Sequence, residues 1–190
     1  MNLLRGVVVV MLAVLAGGCT TILSETNDRP IEEDPGRRSV GTMLDDDSIE
    51  TTAAVNIDKT DPLLESAHIV AVSFNGNVLL TGQVPNEDLR ARAAQVAASV
   101  KNVKSVRNEL TVGANSSFAA RSADTLITAK VKSKLLTAAN IKDSRVKVVT
   151  ENGVVFLLGL VTRAEADIAG RTAQDTDGVQ KVVLLFEYVD

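Results

Sequence analysis

The sequence predicts an α+β protein made of two tandem copies of one α-β-β-α-β unit, and three observations predict it. The chain repeats itself: Asn75-Gly76-Asn77-Val78-Leu79-Leu80-Thr81-Gly82-Gln83-Val84 lines up with Asn152-Gly153-Val154-Val155-Phe156-Leu157-Leu158-Gly159-Leu160-Val161, and Gly76 and Gly153 stand 77 residues apart. A period that long is a duplicated small domain rather than a solenoid unit. Each copy also sets Asn-Gly between β-branched runs, the strongest short hairpin signal, because both central turn residues need positive φ. Finally, a helix precedes each hairpin, and a second helix and a closing strand follow it.

In chain order, the first copy occupies residues 45–113. A helix over 47–58 opens it, and strands 69–74 and 78–84 form the hairpin. Asn86 can cap the second helix, whose apolar stripe is Leu89, Ala93, Val96 and Val100. A strand over 103–112 closes the unit. A polar linker at 113–122 leads to the second copy, residues 121–190. Its helix covers 124–138 and its hairpin strands 145–151 and 154–161. Thr162 and Glu165 form a capping box for the next helix, where Ala166, Ala169, Gly170 and Ala173 permit close packing. Strand 179–189 ends the chain. Gly82 and Gly159 mark a strand bend or a close helix contact. Phe156, Leu158 and Leu160 share one parity while Val155, Leu157 and Val161 share the other, so this hairpin is apolar on both faces. One face must cover the helices. The other packs on the first copy or receives a protein partner.

Composition excludes several functions. The 190 residues carry a formal charge of −4, against the strongly basic balance of a general nucleic-acid binder. Aromatics make up 3% and Trp is absent, so the cores must be built from Val, Leu, Ile and Ala. One cysteine, Cys19, permits no internal disulfide. His68, the only histidine, has no nucleophile signature near it, and there is no G-x-S-x-G, H-E-x-x-H or phosphate loop. Asp45-Asp46-Asp47 lacks the spacing and glycine of an EF-hand and reads as an N-terminal cap within a solvated acidic run. The sequence therefore predicts no enzyme, no cofactor and no metal.

Residues 1–18 read as an export signal: Arg5, an apolar run over 7–16, then Ala16-Gly17-Gly18. That run is too short for a bilayer core of about 30 Å, which takes roughly 20 residues. Small residues directly before Cys19 resemble the lipobox of bacterial lipoproteins, although Leu15 lies one place further from the cysteine than the usual leucine. The resemblance implies a Cys19 thiol alkylated with diacylglycerol and a new amino group that is acylated, an effectively permanent anchor. Thr20 follows, not the aspartate that commonly retains such proteins at the inner membrane, which points to the periplasmic face of the outer membrane. Residues 19–44, with Pro30, Pro35, Gly36 and Gly41 among many charges, read as a lipidated flexible linker.

Helix 124–138 carries the candidate site. At 100° per residue Ile127, Val131 and Leu135 form the stripe a folded domain buries. Leu126, Ala129, Ser133 and Leu136 gather on the opposite side, bordered by Lys130, Lys132 and Lys134. An outward apolar strip edged by cations suits an anionic lipid surface such as phosphatidylglycerol. An ordinary surface helix with two stray leucines is the plainer alternative. The first copy is an internal control: its opening helix has Asp45, Asp46, Asp47, Glu50 and Asp58 and no basic residue before Lys59, so an anionic bilayer should repel it.

The paired N-G-x-V-x-L-x-G-x-V segments, each behind a helix and ahead of a helix and a V-x-x-V strand, resemble BON domains. Two of them behind a lipobox, with Arg38-Ser39-Val40-Gly41-Thr42 and Lys147-Val148-Val149-Thr150-Glu151-Asn152-Gly153, are similar to the dual-BON lipoproteins of the Gram-negative outer membrane. The resemblance implies small sandwiches, each a three-stranded mixed sheet with two helices on one face. It also implies binding of anionic phospholipid through the first helix of the second unit, with Leu126 and Leu136 as contacts. Support of envelope integrity, gathering at the division site and contact with the barrel-assembly machinery are implied as well. The best-known member of that family has a tryptophan where this chain has Leu126, which lacks the indole N–H for the headgroup layer.

Overall fold

The computed structural model describes residues 36–138, 141 and 145–190. The export signal, Cys19 and linker residues up to 35 lie outside the described residues. Helix α1 (Val40–Thr60) is capped by Ser39, whose hydroxyl accepts the Thr42 N–H at 3.1 Å. It therefore starts seven residues before the expected 47, inside the stretch read as linker. A single-turn helix α2 (Pro62–Glu65) follows, with Asp61 as its cap and Pro62 in its first turn. Strands β1 (His68–Phe74) and β2 (Asn77–Val84) form the hairpin, and Asn75 and Gly76 at its turn both have positive φ. Helix α3 (Glu87–Ala98) starts at Asn86, whose side chain accepts the Leu89 N–H. The closing strand comes in two pieces, β3 (Ser105–Asn108) and β4 (Thr111–Val112).

The break between β3 and β4 lies opposite Gly82. Both pieces pair in parallel with β2 in one unbroken register, Asn77 with Ser105 through to Val84 with Val112. Opposite the break stands Gly82 of β2, whose φ is 118°. A side chain there would collide with the carbonyl oxygen of His68 on β1. At Gly159 the obstacle is likewise a backbone carbonyl, that of Arg145, the residue just before the strand that begins at Val146. Both glycines thus admit a neighbouring backbone rather than a helix.

The second copy repeats the plan. Helix α4 (Phe118–Ala138) is followed by β5 (Val146–Glu151), β6 (Val154–Val161), α5 (Arg163–Gln174) and β7 (Lys181–Tyr188). The Thr162–Glu165 capping box is present. In each copy the sheet is mixed: the hairpin is antiparallel, and its second strand pairs in parallel with the closing strand. The helices of each copy cover one face of their sheet. Ile49, Ala53 and Ile57 meet Val78, Leu80, Val84, Leu89, Ala93 and Ala97 in the first core. Ile127, Val131 and Leu135 meet Val155, Leu157, Val161, Ala166, Ala169 and Ala173 in the second.

The other sheet faces pack against each other. Phe74 and Leu79 from the first copy meet Phe156 and Leu158 from the second in a third buried cluster. This answers the two-faced hairpin: its second face covers the first copy, and neither Phe156 nor Leu158 is open to a protein partner. A polar rim surrounds the cluster. Gln83 donates to Glu151 at 2.8 Å, and the amides of Asn75 and Asn77 donate to Glu187 at 2.9 and 2.8 Å. Lys147 forms an ion pair with Glu50 across the seam. The incoming chain laces both copies together. Gly36 is seated against Arg145 and the Leu160 carbonyl, and two residues later the Arg38 guanidinium lies 3.8 Å over the Phe74 ring.

Asp46 departs from the sequence expectation of a solvated acid. It sits in the second turn of α1, 1% exposed, because a carboxylate is needed under the hairpin turn. It accepts the backbone N–H groups of Asn75 and Gly76, each at 2.8 Å, the Ser73 hydroxyl at 2.7 Å and Arg38 at 2.5 Å. Burial alone would raise its pKa. The donors from Gly76, Ser73, Asn75 and Arg38 outweigh that and hold the carboxyl below its ordinary range. Asp124 holds the matching turn of the second copy, accepting from Asn152 N–H and Gly153 N–H at 2.8 Å each. Each copy thus ties its first helix to its own Asn-Gly turn through one buried aspartate.

Candidate lipid-binding face

The face is set by how α4 is held. Ser117 caps it, with its hydroxyl accepting the Ala120 N–H at 3.2 Å and its carbonyl the Arg121 N–H at 3.1 Å. The segment before the cap is pinned to the first copy. Ser116 N–H donates to Gln83 at 2.7 Å, and Asn115 accepts the His68 N–H and donates to the Ser66 carbonyl. Further along, Asp124 holds the β5–β6 turn and the Thr128 hydroxyl meets that of Thr150 at 2.7 Å. These ties turn Ile127, Val131 and Leu135 inward. The opposite side must then face solvent.

Leu126 is 64% exposed and Leu136 46%, with Ala129 and Ser133 exposed between them. Ten residues at 1.5 Å rise set the two leucines about 15 Å apart along the axis. Lys130, Lys132 and Lys134 are all exposed. Lys134 leans away, donating to the Asp175 carbonyl at 2.7 Å beyond the end of α5, where a cation also complements the helix dipole. Lys147 does not join this border, because it is paired with Glu50 in the seam between the copies.

The sequence reading missed one member of this surface. Phe118, placed in a linker, is the first residue of α4 and is 79% exposed. A serine followed by Phe-Ala-Ala-Arg was the signal that could have found it, as an N-cap ahead of helix formers.

The contrast between copies also changes in kind. Helix α1 exposes Val40, Leu44 and Val55, so its outer side is not free of apolar residues. Its acids are fewer than the sequence implies, since Asp46 is buried against Arg38 and Glu50 is paired with Lys147. Asp45, Asp47 and Asp58 remain exposed. The two first helices therefore differ in the sign of their charge, not in having oily residues.

Comparison with known proteins agrees with this duplicated architecture. The BON domain family model matches residues 45–114 and again 123–190. The chain belongs to the BON-domain family. It is 40% identical over 94% of its length to Outer membrane lipoprotein DolP of Haemophilus influenzae, covering 88% of that protein. It is 41% identical to the 21 kDa hemolysin of Actinobacillus pleuropneumoniae, over 85% of this chain and 81% of that one. Osmotically-inducible protein Y of Escherichia coli is 32% identical over 84% of this chain and 83% of its own. In BON terms, α4 is the first helix of the second BON domain.

Proposed function

We propose that this protein is a non-enzymatic lipoprotein of the outer membrane, anchored through Cys19 on the periplasmic side, whose second BON domain docks on anionic phospholipid. The observation that carries the docking is the pair of exposed leucines, Leu126 and Leu136, on a helix face bordered by Lys130, Lys132 and Lys134. Lys130 and Lys132 near an anionic surface contribute about 1 kcal/mol each, and Lys134 adds less because it is turned to the Asp175 carbonyl. Each leucine gains roughly 1.5–3 kcal/mol on full burial and less when it inserts only in part. That sum suits reversible docking of a molecule already held by acyl chains. The likeness to a protein named outer membrane lipoprotein supports the location.

Support of envelope integrity and division-site enrichment follow as parts of the same proposal. A role in outer-membrane protein assembly, through contact with the barrel-assembly machinery, would have to use helix faces or sheet edges. The two broad sheet faces that a scaffold would offer cover each other.

Flotation of residues 20–190 with vesicles tests the reading. Phosphatidylglycerol vesicles should carry the protein up at low salt, and phosphatidylcholine vesicles should not. Binding should weaken as the Debye length falls from about 10 Å at 0.1 M salt to about 3 Å at 1 M. Equal flotation with both lipids would refute an electrostatic docking face.

A further inference from the structure

We infer that Phe118 is a third membrane-inserting residue, which extends the lipid face over the whole length of α4 and gives it an aromatic anchor at its N-terminal end. This rests on the docking proposed above. Phe118 is the most exposed large hydrophobic side chain among the described residues, at 79%. It stands 18 residues before Leu136, about five helical turns, so the two share one azimuth some 27 Å apart along the axis. Leu126 lies between them, about 80° round the helix. The residues separating them on this face, Ser122, Thr125, Ala129 and Ser133, are short and cannot hold a bilayer off.

The charge of the helix picks the occupant. The only acid in α4 is Asp124, which is buried and committed to the Asn152 and Gly153 N–H groups. The basic residues are Arg121, Lys130, Lys132 and Lys134, and the linker 113–117 contains no acid. Nothing around Phe118 in the chain would repel an anionic headgroup layer. The residue is also held in place beforehand. Ser117 caps the helix directly behind it, and Asn115 and Ser116 bond to the first copy. Little ordering entropy remains to be lost when it inserts.

The chain contains no tryptophan, so a single indole reports one position without background. The experiment reconstitutes the full lipidated chain carrying Phe118→Trp, Leu126→Trp or Val55→Trp into vesicles with brominated acyl chains. Val55 is an exposed apolar residue of α1, the acidic counterpart of α4. In phosphatidylglycerol vesicles, emission from the first two should shift to the blue and be quenched by bromine, while the Val55→Trp signal stays aqueous. Quenching at 126 but not at 118 overturns the Phe118 inference and leaves the docking face standing. Quenching at neither overturns both. Quenching at all three, or equally in phosphatidylcholine, also overturns both, since adsorption would then be indifferent to face and charge. A blue shift at 118 that needs no lipid and grows with protein concentration assigns the residue to contact between copies, and overturns it too.

Discussion

Replacing Leu126 or Leu136 by Glu should abolish association of residues 20–190 with phosphatidylglycerol vesicles. Each change removes an inserting side chain and puts a negative charge into a face whose border is cationic. Loss of one leucine's partial burial is worth about 1–2 kcal/mol. An added charge opposing an anionic surface costs about 1 kcal/mol more. Together these lower affinity by roughly 30- to 140-fold, beyond the reach of a docking built from a few such terms. Both positions point to solvent, so the circular dichroism spectrum and the unfolding midpoint should stay where they are. Vesicle binding by both variants at the level of the parent would count against the face itself.

The second large effect concerns stability. Asp46→Ala should lower the unfolding free energy by about 2–4 kcal/mol, since it strands the Asn75 and Gly76 N–H groups, the Ser73 hydroxyl and a part-buried arginine. Asp124→Ala should lose less, about 1–3 kcal/mol, because among the described residues it leaves only the Asn152 and Gly153 N–H groups without their acceptor. Urea denaturation orders the pair, and an equal loss would show that Ser73 and Arg38 together add nothing.

The sign of the pH dependence follows from the lowered pKa of Asp46. In the folded protein the carboxyl holds its proton less tightly than in the unfolded chain. Its contribution is complete above the unfolded value of about 3.9 and falls away as the pH drops through the lower folded value. Asp46→Asn should therefore flatten stability against pH below about 4 while leaving the trend near neutrality unchanged.

What the sequence made legible was local. The Asn-Gly turns, the Asn86 cap and the Thr162–Glu165 box are each decided by residues within three or four positions, and each is where the pattern puts it. The starts of α1 and α4 were not legible. Their first turns, from Val40 and Phe118, touch no core, and the buried stripe begins only at Asp46 and Asp124. An aspartate in a core position reads as a break in the apolar period. Its acceptor role appears only when a turn some thirty residues away folds over it. Parity alone showed that the second hairpin is apolar on both sides. It could not say that Phe74 and Leu79 would cover Phe156 and Leu158, because that choice depends on a surface built elsewhere in the chain. The leucines of α4 were found because the inward stripe leaves a defined opposite face; Phe118 was lost with its helix turn.

The most direct measurement is the depth of a nitroxide label at Ala129, the centre of the outward face of α4, compared with one at Val55 on α1. With phosphatidylglycerol vesicles the account predicts that label 129 becomes accessible to oxygen and shielded from a water-soluble nickel chelate, while label 55 stays in water. A label at 129 that remains as open to the chelate as one at 55 would contradict it.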